Sequence, residues 1–461
     1  MASEPSTDVT GNEWMNVRQV DRTLLDGIRP REQVLEQARE GIEKYRKTDV
    51  RVGLKDPKTG RPVPGQTLHV EHLEHAFDFG CSAGFTFSRV NEDPIQQARA
   101  AIFVDLFNCT TAKCYWDECW HQPIERHQGV RVTRRFVDEI DWALANGLRV
   151  RGHPLVWTVP KAIPAWMRRY CYDRQILFLE HHVRSMIRCA RGRVRVWDLV
   201  NEMLWEPSLR HLSDRRWPHL ESAEEMLTYI EPAVRWAREE DPSGTYVLND
   251  YGLELNLVHH DGLTVSATNQ RRRLRELIDL MYRRNCVPDA IGTQMHDGTW
   301  VPADVMYKVL DELSSSGLPV QITEFWAHDD GCPNASNLSA DQLQQSRIRY
   351  VTDCLTIAFG HPAVNHFTFW GNEMFYEDSD PTVRHYRTSW QPSRVYHAVY
   401  DLIKNQWKSP PVSLTTDAAG EVAFRGFHGR YRIRLTRPEG RTTCWHFETH
   451  SPTTRVTLES D

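Results

Sequence analysis

Val196-Trp197-Asp198-Leu199-Val200-Asn201-Glu202 and Val320-Gln321-Ile322-Thr323-Glu324-Phe325 are two apolar, strand-like runs. In each, a glutamate stands where the run gives way to a loop. Glutamate is disfavoured inside a strand and costly to bury alone. Taken singly, each run has an ordinary reading: a surface glutamate at the start of a loop. Two such glutamates at the C-terminal tips of two different strands point instead to a pair of carboxylates meeting in one cleft. That is the equipment for cleaving a glycosidic bond.

Working outward, the same kind of run recurs at Phe79–Ala83, Phe107–Thr111, Val150–Trp157, Tyr246–Tyr251, Ala290–His296 and His366–Gly371. Between most of them lie stretches with helical spacing of apolar residues: Val132–Asn146, Arg174–Cys189, Ser222–Glu239, Gln270–Asn285, Pro302–Ser316 and Ser339–Phe359. Ser393–Asn405 follows the last run. Strands alternating with helices mean parallel βα units. Eight strands predict an α/β fold closed into a (β/α)8 TIM barrel. An open doubly wound sheet is the alternative, but no glycine-rich phosphate fingerprint is present.

The flanks read differently. Residues 1–48 are a polar lead-in followed by a helix from Arg31 to Lys47. Residues 49–77 carry hairpin signals around Asp56-Pro-Lys-Thr-Gly60. The barrel is expected over 78–407. Residues 408–461 contain five short strand-like runs between Gly, Pro and polar turns, a small all-β region expected to pair with 49–77. Its aromatics, Phe424, Phe427, Tyr431 and Trp445, suit either the core of a cap packed on the barrel, the preferred reading, or a sugar-binding module.

Composition excludes several classes. The 461 residues carry a formal net charge of −6 and no basic tract, which argues against nucleic acid as a partner. No apolar run is long enough to span a membrane. Met1 to Thr10 lacks the charged-then-apolar pattern of a signal peptide. As it stands the sequence points to the cytoplasm, and a removed leader would place it outside the cell. The ten cysteines form no zinc-type pairs, and the even spacing of Cys109, Cys114 and Cys119 matches no ligand pattern. Buried thiols are expected, with no metal and no organic cofactor. Sixteen tryptophans is a high count. Trp116, Trp120, Trp157, Trp166, Trp205, Trp300, Trp326, Trp370 and Trp390 fall near strand ends, where some must be core and others suit sugar rings.

In such a barrel the reactive groups lie at the C-terminal strand ends. Read in order they are Arg151, His153 and Trp157, then Asn201 and Glu202, then Asn249, Asp250 and Tyr251, then Gln294 and His296, then Glu324, then Trp370. Each histidine or amide alone is more often a satisfied structural hydrogen bond. A polar group at nearly every strand end shifts the balance towards a site. One carboxyl would serve as nucleophile and one as acid then base. Asn201 is placed to bond a sugar 2-hydroxyl and His296 to orient the nucleophile.

Arg151-Gly-His-Pro-Leu-Val-Trp157, Trp197-Asp-Leu-Val-Asn-Glu202, Leu248-Asn-Asp-Tyr251, Ile291-Gly-Thr-Gln-Met-His296, Ile322-Thr-Glu324 and Phe369-Trp-Gly371 together resemble glycoside hydrolase family 10, over roughly Phe79 to Asn405. The resemblance implies a retaining endo-β-1,4-xylanase-type enzyme acting on a polysaccharide or oligosaccharide without cofactor. It implies Glu202 as acid/base and Glu324 as nucleophile. It places His153, Trp157, Asn201, Tyr251, Gln294, His296 and Trp370 around the substrate. The chain departs from the family at the second strand, where Thr111-Ala-Lys113-Cys-Tyr115-Trp116 replaces a Glu-Asn pair and a Lys-Trp. Lys113 and Trp116 are expected to fill that space in part. Thr158 and Pro160 replace a His and a Gln, and Trp326 replaces an Asp. These departures leave open another or decorated glycan, or a carbohydrate-binding barrel without turnover.

Overall fold

The computed structural model describes residues 15–20, 22–83, 90, 93–117, 123–206, 209–211, 221–259, 264–296, 298–377 and 391–460. Trp120, Trp390 and Cys119 lie outside the described residues.

Eight parallel strands close on themselves: Asp78–Cys81, Cys109–Lys113, Arg149–His153, Val196–Asn201, Thr245–Asp250, Ala290–Thr293, Val320–Phe325 and Val364–Phe369. The last pairs with the first through His366↔Asp78 and Phe367↔Phe79, which completes the barrel. The strands are almost wholly buried, as expected of runs covered by helices outside and side chains inside. Every one of the eight predicted strands is present. The predicted helices are present too, several with the caps their sequences announce. Ser222 and Glu225 form a capping box, as do Ser339 and Gln342.

Some elements escaped the sequence reading. Pro94–Leu106 is a helix, capped by Asp93, between the first and second strands. Its apolar residues, such as Ile95, Ala101, Phe103 and Val104, spread round the helix, so no one-sided stripe marks it. The polar lead-in also contains a strand, Met15–Val20, antiparallel to Leu255–His259 in the loop after the fifth barrel strand. That pairing is non-local, and nothing within the N-terminal residues signals it.

The flanking segments combine as expected. Lys47–Lys55 pairs with Glu421–Phe427 and Thr453–Glu459. Thr67–His75 lies between Val412–Thr415 and Gly429–Thr436, which continues to Thr442–Thr449. Val50, Val52, Leu54, Leu68, Val70, Ile433 and Leu435 form the core between the two sheets. Tyr431 and Phe427 are buried, while Phe424 and Trp445 rest partly covered against that core. The aromatics thus hold the β region together. It docks on the base of the barrel, where His75 meets Phe79, Phe359 and Phe427 edge-on at 5.3–5.9 Å. Arg46 lies in the same junction, donating to the carbonyls of Phe359, His361 and Val364 at the end of helix Ala340–Gly360. Cations favour that end of a helix. Among the described residues, no helix is long and apolar enough to cross a membrane.

Helix Arg31–Tyr45 crosses helix Ala340–Gly360 at glycine. A Cβ on Gly41 would stand 2.1 Å from the Gly360 carbonyl oxygen, and one on Gly360 would stand 2.1 Å from that of Ala38. Backbone, unlike a flexible side chain, cannot yield without moving a whole helix. Gly41→Val is therefore expected to destabilise the fold by about 1–3 kcal/mol. A guanidinium unfolding midpoint equal to that of the parent would show that this contact is not limiting.

Candidate active site

The two glutamates of the opening runs meet at the C-terminal mouth of the barrel through one chain of amides. Asn249 Nδ2 donates to Glu324 Oε1 and to Asn201 Oδ1, both at 2.8 Å. Gln294 Nε2 donates to the same Asn201 oxygen at 3.3 Å and to Glu202 Oε1 at 3.2 Å. Thr323 Oγ1 fixes the amide orientation of Asn249 by donating to its Oδ1 at 2.6 Å. Glu202 Oε2 accepts the indole N–H of Trp157 at 2.7 Å. Groups from the third to the seventh strands thus converge on the carboxyl pair. Glu202 itself has φ of 60°, left-handed for a non-glycine residue, and Met295 between Gln294 and His296 has φ of 52°. Such strain persists where surrounding contacts enforce it and clusters at functional sites.

The two carboxyls have opposite acidities. Burial, and then the like charge of Glu324, push Glu202 above the ordinary carboxylic range against the pull of its Gln294 and Trp157 donors. Burial pushes Glu324 the same way, but His153 and His296 outweigh it and hold Glu324 below that range. His296 Nε2 lies 3.3 Å from Glu324 Oε2, and His153 Nδ1 lies 3.9 Å from Oε1. His153 is itself held by Asp198, 2.8 Å away, and Asp198 pairs with the fully buried Arg151. Burial opposes the charge on Asp198, yet Arg151 and His153 keep its pKa at about 2. The two carboxyls are thus pushed in opposite directions by their surroundings.

A profile of the family described as Glycosyl hydrolase family 10 matches residues 81–398. The chain belongs to glycosyl hydrolase family 10. The Endo-1,4-beta-xylanase B of Thermotoga neapolitana is 30% identical over 235 residues, 50% of this chain and 61% of that protein. The Anti-sigma-I factor RsgI6 of Acetivibrio thermocellus is 23% identical over 411 residues, 88% of this chain and 47% of that protein. The chain thus spans about half to three-fifths of these relatives' own length. The crystal structure of native xylanase 10B from Thermotoga maritima superposes with a TM-score of 0.54 at 20% identity, covering 72% of this chain and 96% of that one. That likeness confirms the barrel fold.

Not every residue expected at this family 10 cleft reaches it. Trp116 is 5% exposed, its ring stacked on His182 at 4.4 Å and its N–H given to Glu125. It is wall, not platform. Tyr251 is 7% exposed, with one face against Trp205 at 5.0 Å. Trp166, Trp205 and Trp300 are buried likewise. Trp157, Trp326 and Trp370 are half-buried at the mouth. Lys113 stands over Trp370, its Nζ 4.8 Å from the ring centroid, and Trp370 meets His153 edge-on at 5.0 Å.

Two groups of the hydrogen-bond network have no role that the sequence alone announces. Asn249, the hub of the amide chain, is visible in the sequence as a polar group at the end of the fifth strand, but its link between the two glutamates is not. Asp198 sits mid-strand, where nothing in sequence separates a relay carboxylate from a structural one. Among the described residues, Asp78, Cys109 and His366 have metal-ligand proximity. They lie at the barrel base, where Arg149 Nε already pairs with Asp78 at 2.5 Å.

Because Asp198 has a depressed pKa, its stabilising effect is complete above the unfolded value near 3.8 and is lost as pH falls through about 2. Arg151→Met leaves that buried carboxylate with His153 as its remaining ion-pair partner, and is expected to cost about 3 kcal/mol at neutral pH. The stability gap between parent and variant should narrow as pH falls towards 2. Denaturant unfolding at several pH values reads this. A gap independent of pH would remove Asp198 as the partner that matters.

Proposed function

We propose that this chain is a retaining glycosidase that hydrolyses β-1,4-linked xylan or xylo-oligosaccharides by double displacement. The observation carrying the reading is the carboxyl pair, joined by one amide chain yet shifted in opposite directions. Family membership and the xylanase name of the Thermotoga neapolitana relative support the substrate.

In this reading Glu202 protonates the glycosidic oxygen as Glu324 attacks the anomeric carbon. The C–O bond to the leaving sugar breaks, that sugar departs as an alcohol, and a glycosyl ester to Glu324 remains. Glu202, now a carboxylate, takes a proton from water. The water oxygen attacks the anomeric carbon and releases Glu324, so that two inversions retain configuration. Asn201, held by Asn249 and Gln294, presents its amide to the sugar 2-hydroxyl. His153 and His296 keep Glu324 ionised.

A second reading is a barrel that binds glycan without turnover. It draws on the second strand, whose Thr111, Ala112 and Cys114 are all buried and leave Lys113 as the one polar group half-exposed at its end.

The first experiment is a panel of xylan and aryl β-glycosides with anomeric configuration read by NMR. Release of xylo-oligosaccharides with retention supports the proposal, and binding without release supports the second reading. Glu324→Ala should lose at least about a thousandfold in kcat, with azide restoring turnover through an inverted product. Glu202→Ala should slow substrates with poor leaving groups far more than activated aryl glycosides. Equal losses on both would remove Glu202 as the acid.

The two pKa directions also set a bell-shaped profile for kcat/KM. Activity should fall on the acid side as Glu324 takes a proton and on the alkaline side as Glu202 loses one. Trp157→Phe removes a hydrogen bond that favours the charged form of Glu202, so its alkaline limb should move up in pH. An unmoved limb in that variant would mean that Glu202 does not set it.

A further inference from the structure

Lys161 stands in the loop that follows Trp157. Its ammonium lies 5.0 Å from the centroid of the Trp157 ring, whose N–H is given to Glu202. The charge is therefore one indole away from the proposed acid. Lys161 is exposed, and among the described residues no carboxylate comes within ion-pair distance of it. The carboxyls that feel its charge are Glu202 and Glu206, both pushed by burial towards the protonated form.

Lys113 is the instructive contrast. It too sits on an indole, but its charge is shared among Glu139, Glu324 and Glu373. Lys161 is instead exposed, with Glu202 and Glu206 the carboxyls that its charge reaches. An ammonium has three donors and no acceptor, so it cannot take a proton from a sugar hydroxyl. Pro160 beside it has no N–H, and Thr158 is buried. The loop therefore offers a sugar one exposed ammonium seated over the Trp157 ring, with no carboxylate among the described residues at ion-pair distance. A carboxylate is the group that matches both the charge and the donor-only character.

We propose that Lys161 is a specificity-determining residue, binding the carboxylate of a uronic-acid substituent on a glycan held beside Trp157. The substrate class is then an acidic, uronosyl-bearing β-glycan rather than a neutral one. This deepens the glycosidase reading and rests on it.

The test compares uronosyl-substituted xylo-oligosaccharides with the same compounds after reduction of the carboxyl to the alcohol. The parent chain should favour the acidic form about tenfold or more in kcat/KM, a preference that shrinks with added salt. Lys161→Gln should bring the acidic-to-reduced ratio close to one, Lys161→Arg should keep most of it, and Lys113→Gln should leave the ratio high. Equal rates on both forms in the parent, a ratio untouched by Lys161→Gln, or a ratio abolished by Lys113→Gln alone overturns the proposal. If the parent hydrolyses neither form, the glycosidase reading fails, and calorimetric binding of the same pair decides this one. Tighter binding of the acidic form, lost in Lys161→Gln, sustains it, whereas equal or absent binding overturns it.

Discussion

Two carboxyl groups in one desolvated cleft would ordinarily repel each other and both resist ionisation. The mouth of this barrel resolves that conflict by dividing the surroundings. Glu324 receives the positive ends: an amide N–H from Asn249 and two imidazoles, one of them braced by Asp198 and Arg151. Glu202 receives two neutral donors and the field of Glu324. The same demand explains the polar residue at nearly every strand tip. Asn201, Asn249 and Gln294 must pass hydrogen bonds between neighbouring strands, and only a closed barrel brings all three beside both glutamates. It also explains why a glutamate is held at a φ of 60°. The backbone N–H of Glu202 is committed to Asn249 O at 2.8 Å, and its carbonyl to the N–H of Glu206 at 3.0 Å. The turn is fixed from both sides and aims the side chain inward.

Much of this architecture is legible in sequence because barrel strands are short, apolar and punctuated by polar tips. The eight runs beginning at Phe79 can be read without any structural knowledge, and so can the pairing of the two termini into one β region. What stays hidden has physical reasons. Pro94–Leu106 shows no amphipathic stripe because its apolar residues are not confined to one face. Met15–Val20 becomes a strand only through a partner some 240 residues away. Within the site, sequence names residue types at strand ends but not the direction of a side chain. Trp116 and Trp370 look equally suited to hold a sugar. The first is turned back onto His182 and the second forward onto His153. Lys161 lies four residues past Trp157 on an irregular loop, where no periodicity links it to the cleft.

The separation between the chemical centre and its wall decides how far this family 10 chain can diverge. The amide chain and the His153–Asp198–Arg151 relay draw side chains from the third to the seventh strands. The altered second strand contributes none. Thr110 turns its hydroxyl to the Cys81 carbonyl, and Trp116 gives its N–H to Glu125. Both contacts stay within the wall. Replacing the groups that line that wall therefore changes what the cleft can hold while leaving the amide chain and the two imidazoles in place. The β region at the opposite end of the barrel adds to this independence. It covers the base through Arg46 and the ring cluster at Phe359, so stability is supplied where no substrate binds. An intact carboxyl pair beside a rebuilt wall is thus a coherent state of the molecule, in which the network holds the two glutamates whatever the loops around them present.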